Sequence, residues 1–175
     1  MSKLIRLLTL LTLGLSTTLW ADPLKPLAFP KPSAEVAALC KTITEALEDN
    51  GKGLEQKLGK ADKIEKITLP NRHHPDTKDI RNMYRYGEGL VSIYTVPALK
   101  LTYLEAAVFT KDFWPATIPM LLALTPDEVK EKFGKPDEED KEHMVYLCSY
   151  ETGDSINFLL SNNRVYRFVL RSVIE

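Results

Sequence analysis

No Gly-x-Ser-x-Gly elbow occurs in the chain, and neither of its two cysteines has a histidine beside it in a recognisable motif. The sequence therefore offers no ready nucleophile. Histidine is scarce: His73, His74 and His143 are all there are. The two cysteines lie too far apart for a zinc or redox spacing. Neither sign of charge is in excess, since 23 Lys and Arg face 24 Asp and Glu, for a net charge of −1. That balance lacks the basic signature of a nucleic-acid-binding domain. Apolar runs are short. Leu7 to Leu15 is the most apolar stretch and is too brief to cross a bilayer well. No cysteine closes it, which argues against a lipoprotein.

What is present begins with an export pattern. Lys3 and Arg6 precede the apolar run, and Ser16 to Ala21 leads to Asp22-Pro23. These three zones read as a signal peptide, residues 1–21, cleaved after Ala21; an uncleaved anchor is the competing reading. Loss of Lys3 and Arg6 would take the net charge to −3. A periplasmic or secreted location follows. In that compartment Cys40 and Cys148 are expected to pair. Two buried thiols or an intermolecular bond are the other outcomes. Residues 22–32 hold Pro23, Pro26, Pro30 and Pro32, which favours an extended arm.

The remainder reads as α+β. Ser33 caps a helix whose apolar face carries Val36, Leu39, Cys40, Ile43 and Leu47 and which stops at Asn50-Gly51. A short helix with Leu54 and Leu58 ends at Gly59. Ile64 to Leu69 is a strand or extended segment, and Pro70 to Asp79 a polar surface loop. Arg81–Tyr86, Leu90–Val96 and Leu99–Phe109 are strands, separated by the turns Gly87-Glu88-Gly89 and Pro97-Ala98. A connector over 111–124 contains Phe113-Trp114-Pro115. Thr125-Pro126-Asp127-Glu128 then starts a helix with a capping box, and Gly134 stops it. Met144–Tyr150, Ser155–Leu160 and Arg164–Ile174 complete the chain as strands. In the last, Tyr166, Phe168, Leu170, Ser172 and Ile174 are assigned to the core, with Arg167 and Arg171 outward.

Leu54-x-x-x-Leu58-Gly59-Lys60-Ala61-Asp62 parallels Val129-x-x-x-Phe133-Gly134-Lys135-Pro136-Asp137. Further on, Tyr86 parallels Tyr150, Gly89 parallels Gly153, Leu101 parallels Val165 and Leu104 parallels Phe168. The expectation is an internal repeat: one unit over 33–110, the connector over 111–124, and a second unit over 125–175. The Thr125-Pro126-Asp127-Glu128-Val129 start and Phe133-Gly134-Lys135-Pro136 end resemble the outer-membrane-assembly lipoproteins of the SmpA/OmlA type. They also resemble β-lactamase inhibitory protein. The resemblance implies two tandem helix-plus-antiparallel-sheet units, with helices on one face of the sheets, and a protein that binds rather than catalyses. It transfers no catalytic residue.

Candidate sites are few. His73, His74 and Asp76 are the most metal-like group, but their spacing is not that of a zinc site. Asp137 to Asp140 is an acidic turn without the ligand alternation of a calcium loop. For a partner surface the candidates are Phe113, Trp114, Tyr84, Tyr86, Tyr94, Tyr103, Arg167 and Arg171, aromatic and arginine residues of the kind that dominate interfaces. The resulting expectation is an exported, non-enzymatic protein-binding module without cofactor, of the inhibitor or immunity type. Its partner would be a protein of the cell envelope. An envelope assembly factor of the SmpA/OmlA kind is the first alternative, and a periplasmic hydrolase or metal-binding protein the second.

Overall fold

The structure, a computed structural model, describes residues 31–48 and 52–173. The expected signal peptide, most of the proline-rich arm and the Asn50-Gly51 stop lie outside the described residues. Among the described residues three helices and eight strands follow one another as α1 (Ala34–Leu47), α2 (Lys52–Leu58), β1 (Lys63–Pro70), β2 (Lys78–Tyr86), β3 (Gly89–Val96), β4 (Leu101–Phe109), α3 (Pro126–Phe133), β5 (Glu138–Glu139), β6 (His143–Leu147), β7 (Ser155–Ser161) and β8 (Arg164–Arg171). The fold is α+β. All eight strands form one antiparallel sheet in the order β1-β2-β3-β4-β8-β7-β6-β5. The seam at its centre is β4 against β8, where Ala106 faces Arg171 and Val108 faces Val169.

Local chemistry explains the helix ends. The Ser33 side chain accepts from the backbone N–H of Val36 at 3.2 Å, satisfying one of the free donors of α1. Thr125 and Glu128 form the reciprocal capping box at α3. Both Gly59 and Gly134 sit just past a helix in the left-handed region, with φ of 83° and 84°.

Strand alternation divides the sheet into two surfaces. One set of alternate residues joins a single apolar cluster with the buried residues of all three helices. It includes Tyr84 and Tyr86, Val91 and Ile93, Leu104, Ala107 and Phe109, Met144 and Tyr146, Ile156 and Phe158, and Phe168 and Leu170. The opposite set carries no helix residue in that cluster and lines two surface cavities.

The disulfide expected from the export pattern is present. Cys40 of α1 and Cys148, one residue past β6, are bonded at a Cα separation of 6.0 Å. Their sequence separation is 108 residues. On the chain-entropy view a loop of that length is worth about 4–5 kcal/mol. No described helix is long and apolar enough to cross a membrane. The disulfide is compatible with an extracytoplasmic protein.

Three expectations change. The last strand does not alternate simply: Val165 is buried and Tyr166 is 47% exposed. The cause is a β-bulge, because the β7–β8 register shifts between Leu159 and Leu160. One inserted residue reverses the facing of everything before it, so Tyr166 leaves the core and joins Arg167. Second, the Pro70–Asp79 loop is anchored, not simply solvated. Its ends Asn71 and Asp79 are both buried, and β1 and β2 extend into it on either side. Third, the acidic turn adds a two-residue strand, β5, at the sheet edge. There Asp140 Oδ1 accepts from the backbone N–H groups of Glu142 and His143 at 2.7 and 2.9 Å, so this carboxylate shapes the turn.

Candidate functional site

The surface of the sheet away from the apolar cluster runs from the end of β1 across β2, β3, β4, β8 and β7 to β6. A second β-bulge, between Ser92 and Ile93 opposite β4, leaves Glu105 as an extra residue between Leu104 and Ala106. Glu105 consequently shares a surface with Ala106. Arg81 from β2 meets it with Nε at 2.7 Å and with a second guanidinium nitrogen on its other oxygen. Ser92 donates to the same carboxylate at 2.6 Å. This bidentate pair is the most specific charge contact on the surface.

Across the central seam the surface is different. Leu90, Ala106, Val108, Leu159 and Val169 form an apolar strip, and Tyr166, Arg167 and Arg171 border it. Together they line an open cavity of about 1120 Å³. The Cζ of Arg167 lies 5.7 Å from the ring centroid of Tyr166. Its nearest carboxylate is Glu88 at 3.9 Å, and its Nε is closed off from solvent with no acceptor. Arg171 makes no ion pair among the described residues.

A second cavity, of about 630 Å³, lies at the far end of β2–β4 and is lined by Asn71, Arg72, His73, His74, Asp79, Tyr94, Leu99 and Tyr103 among others. Asp79 is 3% exposed. Its carboxylate accepts from Asn71 Nδ2 at 3.0 and 3.1 Å and from the Tyr94 hydroxyl at 2.6 Å. The Tyr94 phenol is pushed above its ordinary range, chiefly because it donates to that carboxylate. Asn71 Oδ1 in turn accepts from the backbone N–H groups of His73 and His74, so one buried amide holds the loop closed.

Of the eight residues expected at a partner surface, four line cavities, three are buried and one is half-buried. Arg167 and Arg171 line the first cavity, and Tyr94 and Tyr103 the second. Tyr84, Tyr86 and Phe113 are instead buried. Strand alternation turns the two tyrosines into the apolar cluster, and the Phe113 ring stacks on Tyr86 at 4.6 Å between centroids. Trp114 is half-buried; its ring packs on Phe109 and Phe168, and its indole N–H donates to the Ile118 carbonyl at 2.8 Å. As contacts for a partner, Tyr84, Tyr86 and Phe113 are therefore corrected to supports beneath the surface. His73 and His74 share a cavity with Asp79, but among the described residues no three His, Cys, Asp or Glu side chains are grouped to hold a metal ion. Asp76 does not line that cavity.

Sequence reasoning missed Asn71, Asp79 and Glu105, single polar residues in a chain rich in them. The apolar strip was missed because a small residue such as Ala106 carries no signal alone.

No protein-family model, curated protein or solved structure matches the chain.

Proposed function

We propose that the chain is an exported, non-catalytic protein-binding module of the inhibitor or immunity type. In this reading it is built from two copies of a helix-plus-sheet unit, α2 to β4 and α3 to β8, whose helices cover one face and leave the other for a partner. Matching details support the duplication. Tyr86 donates to the Gly59 carbonyl at 3.5 Å and Tyr146 to the Gly134 carbonyl at 2.9 Å. Asp62 accepts from the backbone N–H of Gly87, and Asp137 from that of Leu147, at 2.6 and 2.8 Å. Each unit has one bulge, beside Ile93 or Leu160. The counterpart of Tyr86 is then Tyr146 rather than Tyr150, whose hydroxyl donates to Asp137 instead.

The observation that carries the binding role is the central seam. An apolar strip bordered by two arginines, one with a buried and unsatisfied Nε, is costly to leave bare. The occupant that answers it is an acidic, extended loop of a partner protein. Charge complementarity favours that choice, since Arg167 and Arg171 stand on a chain whose overall charge is −1.

The test is capture from a periplasmic extract with tagged protein at low salt, comparing wild type with Arg167→Glu/Arg171→Glu and with Lys41→Glu on the exposed side of α1. A single stoichiometric partner should be held by wild type and by Lys41→Glu, weakened by salt, and bound at least ~10-fold less by the double variant, a difference of ~1.4 kcal/mol. Capture indifferent to the arginine reversal, or no capture at all, would overturn the reading. Recovery in the outer-membrane fraction with an envelope-stress phenotype on deletion would assign the assembly role instead.

A further inference from the structure

The cavity at the end of β2–β4 shares no lining residue with the Arg167–Arg171 seam and carries an independent signal. Asp79 is 97% removed from solvent, yet every donor to its carboxylate is neutral: the Asn71 amide twice and the Tyr94 hydroxyl once. No described Lys, Arg or His pairs with it. The cation nearest along its own strand, Arg81, is taken up by Glu105 through both oxygens. Buried carboxylates are ordinarily matched by a positive charge. Three of the roughly four acceptor positions of this one are filled, and the one left is on Oδ1.

We infer that this cavity is a binding site for an organic cation, an ammonium or guanidinium group, held by the Asp79 carboxylate with the rings of Tyr94 and Tyr103 on its walls. The two tyrosines are cross-strand partners, so they stand side by side on one surface. Tyrosine faces attract cations, and Arg in particular. The volume of about 630 Å³ lies within the usual range for small-molecule sites. Val96 and Leu99 supply apolar wall for the methylene stem that such groups carry. The bond from Asn71 to Asp79 also fastens the loop, but it adds no positive charge. Arg72 on the rim is exposed, where water and salt screen it. The group could come from a free amine or from a basic side chain of a partner protein, and the two sources are separable.

The experiment titrates the full exported chain with agmatine, followed by calorimetry and by the ring resonances of the tyrosines, with valerate as the anionic control. Saturable agmatine binding is expected, with Tyr94 and Tyr103 shifted and no response to valerate. Asp79→Asn should weaken it at least ~10-fold. Tyr103→Ala, which leaves the Asn71–Asp79–Tyr94 contacts in place, should weaken it severalfold and decides the matter if Asp79→Asn does not fold. Lys41→Ala, on the exposed side of α1, should bind agmatine like wild type, so that the losses are specific to this cavity. Loss of partner capture in Tyr103→Ala would mark the cation as a partner side chain; unaffected capture would mark it as a free amine. Absence of saturation at millimolar agmatine, or equal affinity in wild type and Tyr103→Ala, would overturn the site.

Discussion

Two phenols close two helix ends. The Tyr146 hydroxyl reaches the carbonyl of Gly134 at 2.9 Å, while that of Tyr86 reaches Gly59 at 3.5 Å, the outer limit of a hydrogen bond. Tyr146→Phe should therefore cost about 1 kcal/mol and Tyr86→Phe distinctly less, both read from urea unfolding. Both glycines are exposed, so water can replace the lost donor and keep the cost modest. Burial, with the charge of Glu55 or Glu139 added, pushes both phenols up to about 12. An unfolded tyrosine ionises near 10. Between those values the unfolded chain has released protons that the folded one retains, so stability is full below pH 10 and falls as pH climbs toward 12. Unfolding midpoints across that window should fall less steeply in Tyr146→Phe than in wild type. Single residues were legible where chemistry is local: Ser33, Thr125, Gly59 and Gly134 were each readable as caps or stops from their neighbours. Asp79 was not, because its importance comes from Asn71 and Tyr94, which reach it only after β2 has paired with β1 and with β3.

At the scale of elements, the β2–β3 turn shows why composition misleads. Gly87 and Gly89 both read as turn glycines, and Gly87 does occupy the left-handed region at φ 58°. Gly89 is needed for a different reason. A Cβ there would lie 2.4 Å from the Cβ of Phe113 and 2.5 Å from its ring. Phe113 in turn is stacked against Tyr86 and Phe109, so it cannot yield cheaply. Gly89→Ala should lose about 1–3 kcal/mol, as overpacked cores do. Fluorescence of Trp114, whose ring leans on Phe109, should report the displaced connector. Strand existence was largely legible from alternation and turn residues. The two bulges were not, since an extra residue leaves the composition of a strand unchanged while reversing which side faces in. That is why Tyr166 was misassigned, and why the surface beside Arg167 has an aromatic on it.

In the whole molecule the two halves share one sheet, and the β4–β8 seam joins them through residues distant in sequence. No local pattern encodes such a pairing, so the sequence could suggest the strands without disclosing that all eight join one sheet. Cys40–Cys148 fastens α1, with Val36, Leu39, Ile43 and Leu47 all buried, to the end of β6. Replacing either cysteine by serine should lower the unfolding free energy by about 2–5 kcal/mol. The double replacement should add little to either single one, because all three remove the same bond. Urea titration of the three variants under non-reducing conditions checks both statements.

The span of that bond also sets a clock. Cys40 is synthesised 108 residues before Cys148. At about 5–20 residues per second its correct partner does not exist for about 5–20 s. Through that interval α1 has no covalent hold on the sheet, and β6 has yet to be made. A chain truncated anywhere between the two positions keeps an orphan thiol. The closed bond is thus a certificate that translation has passed β6, and the free Cys40 thiol is the mark by which an unfinished copy can be told from a finished one.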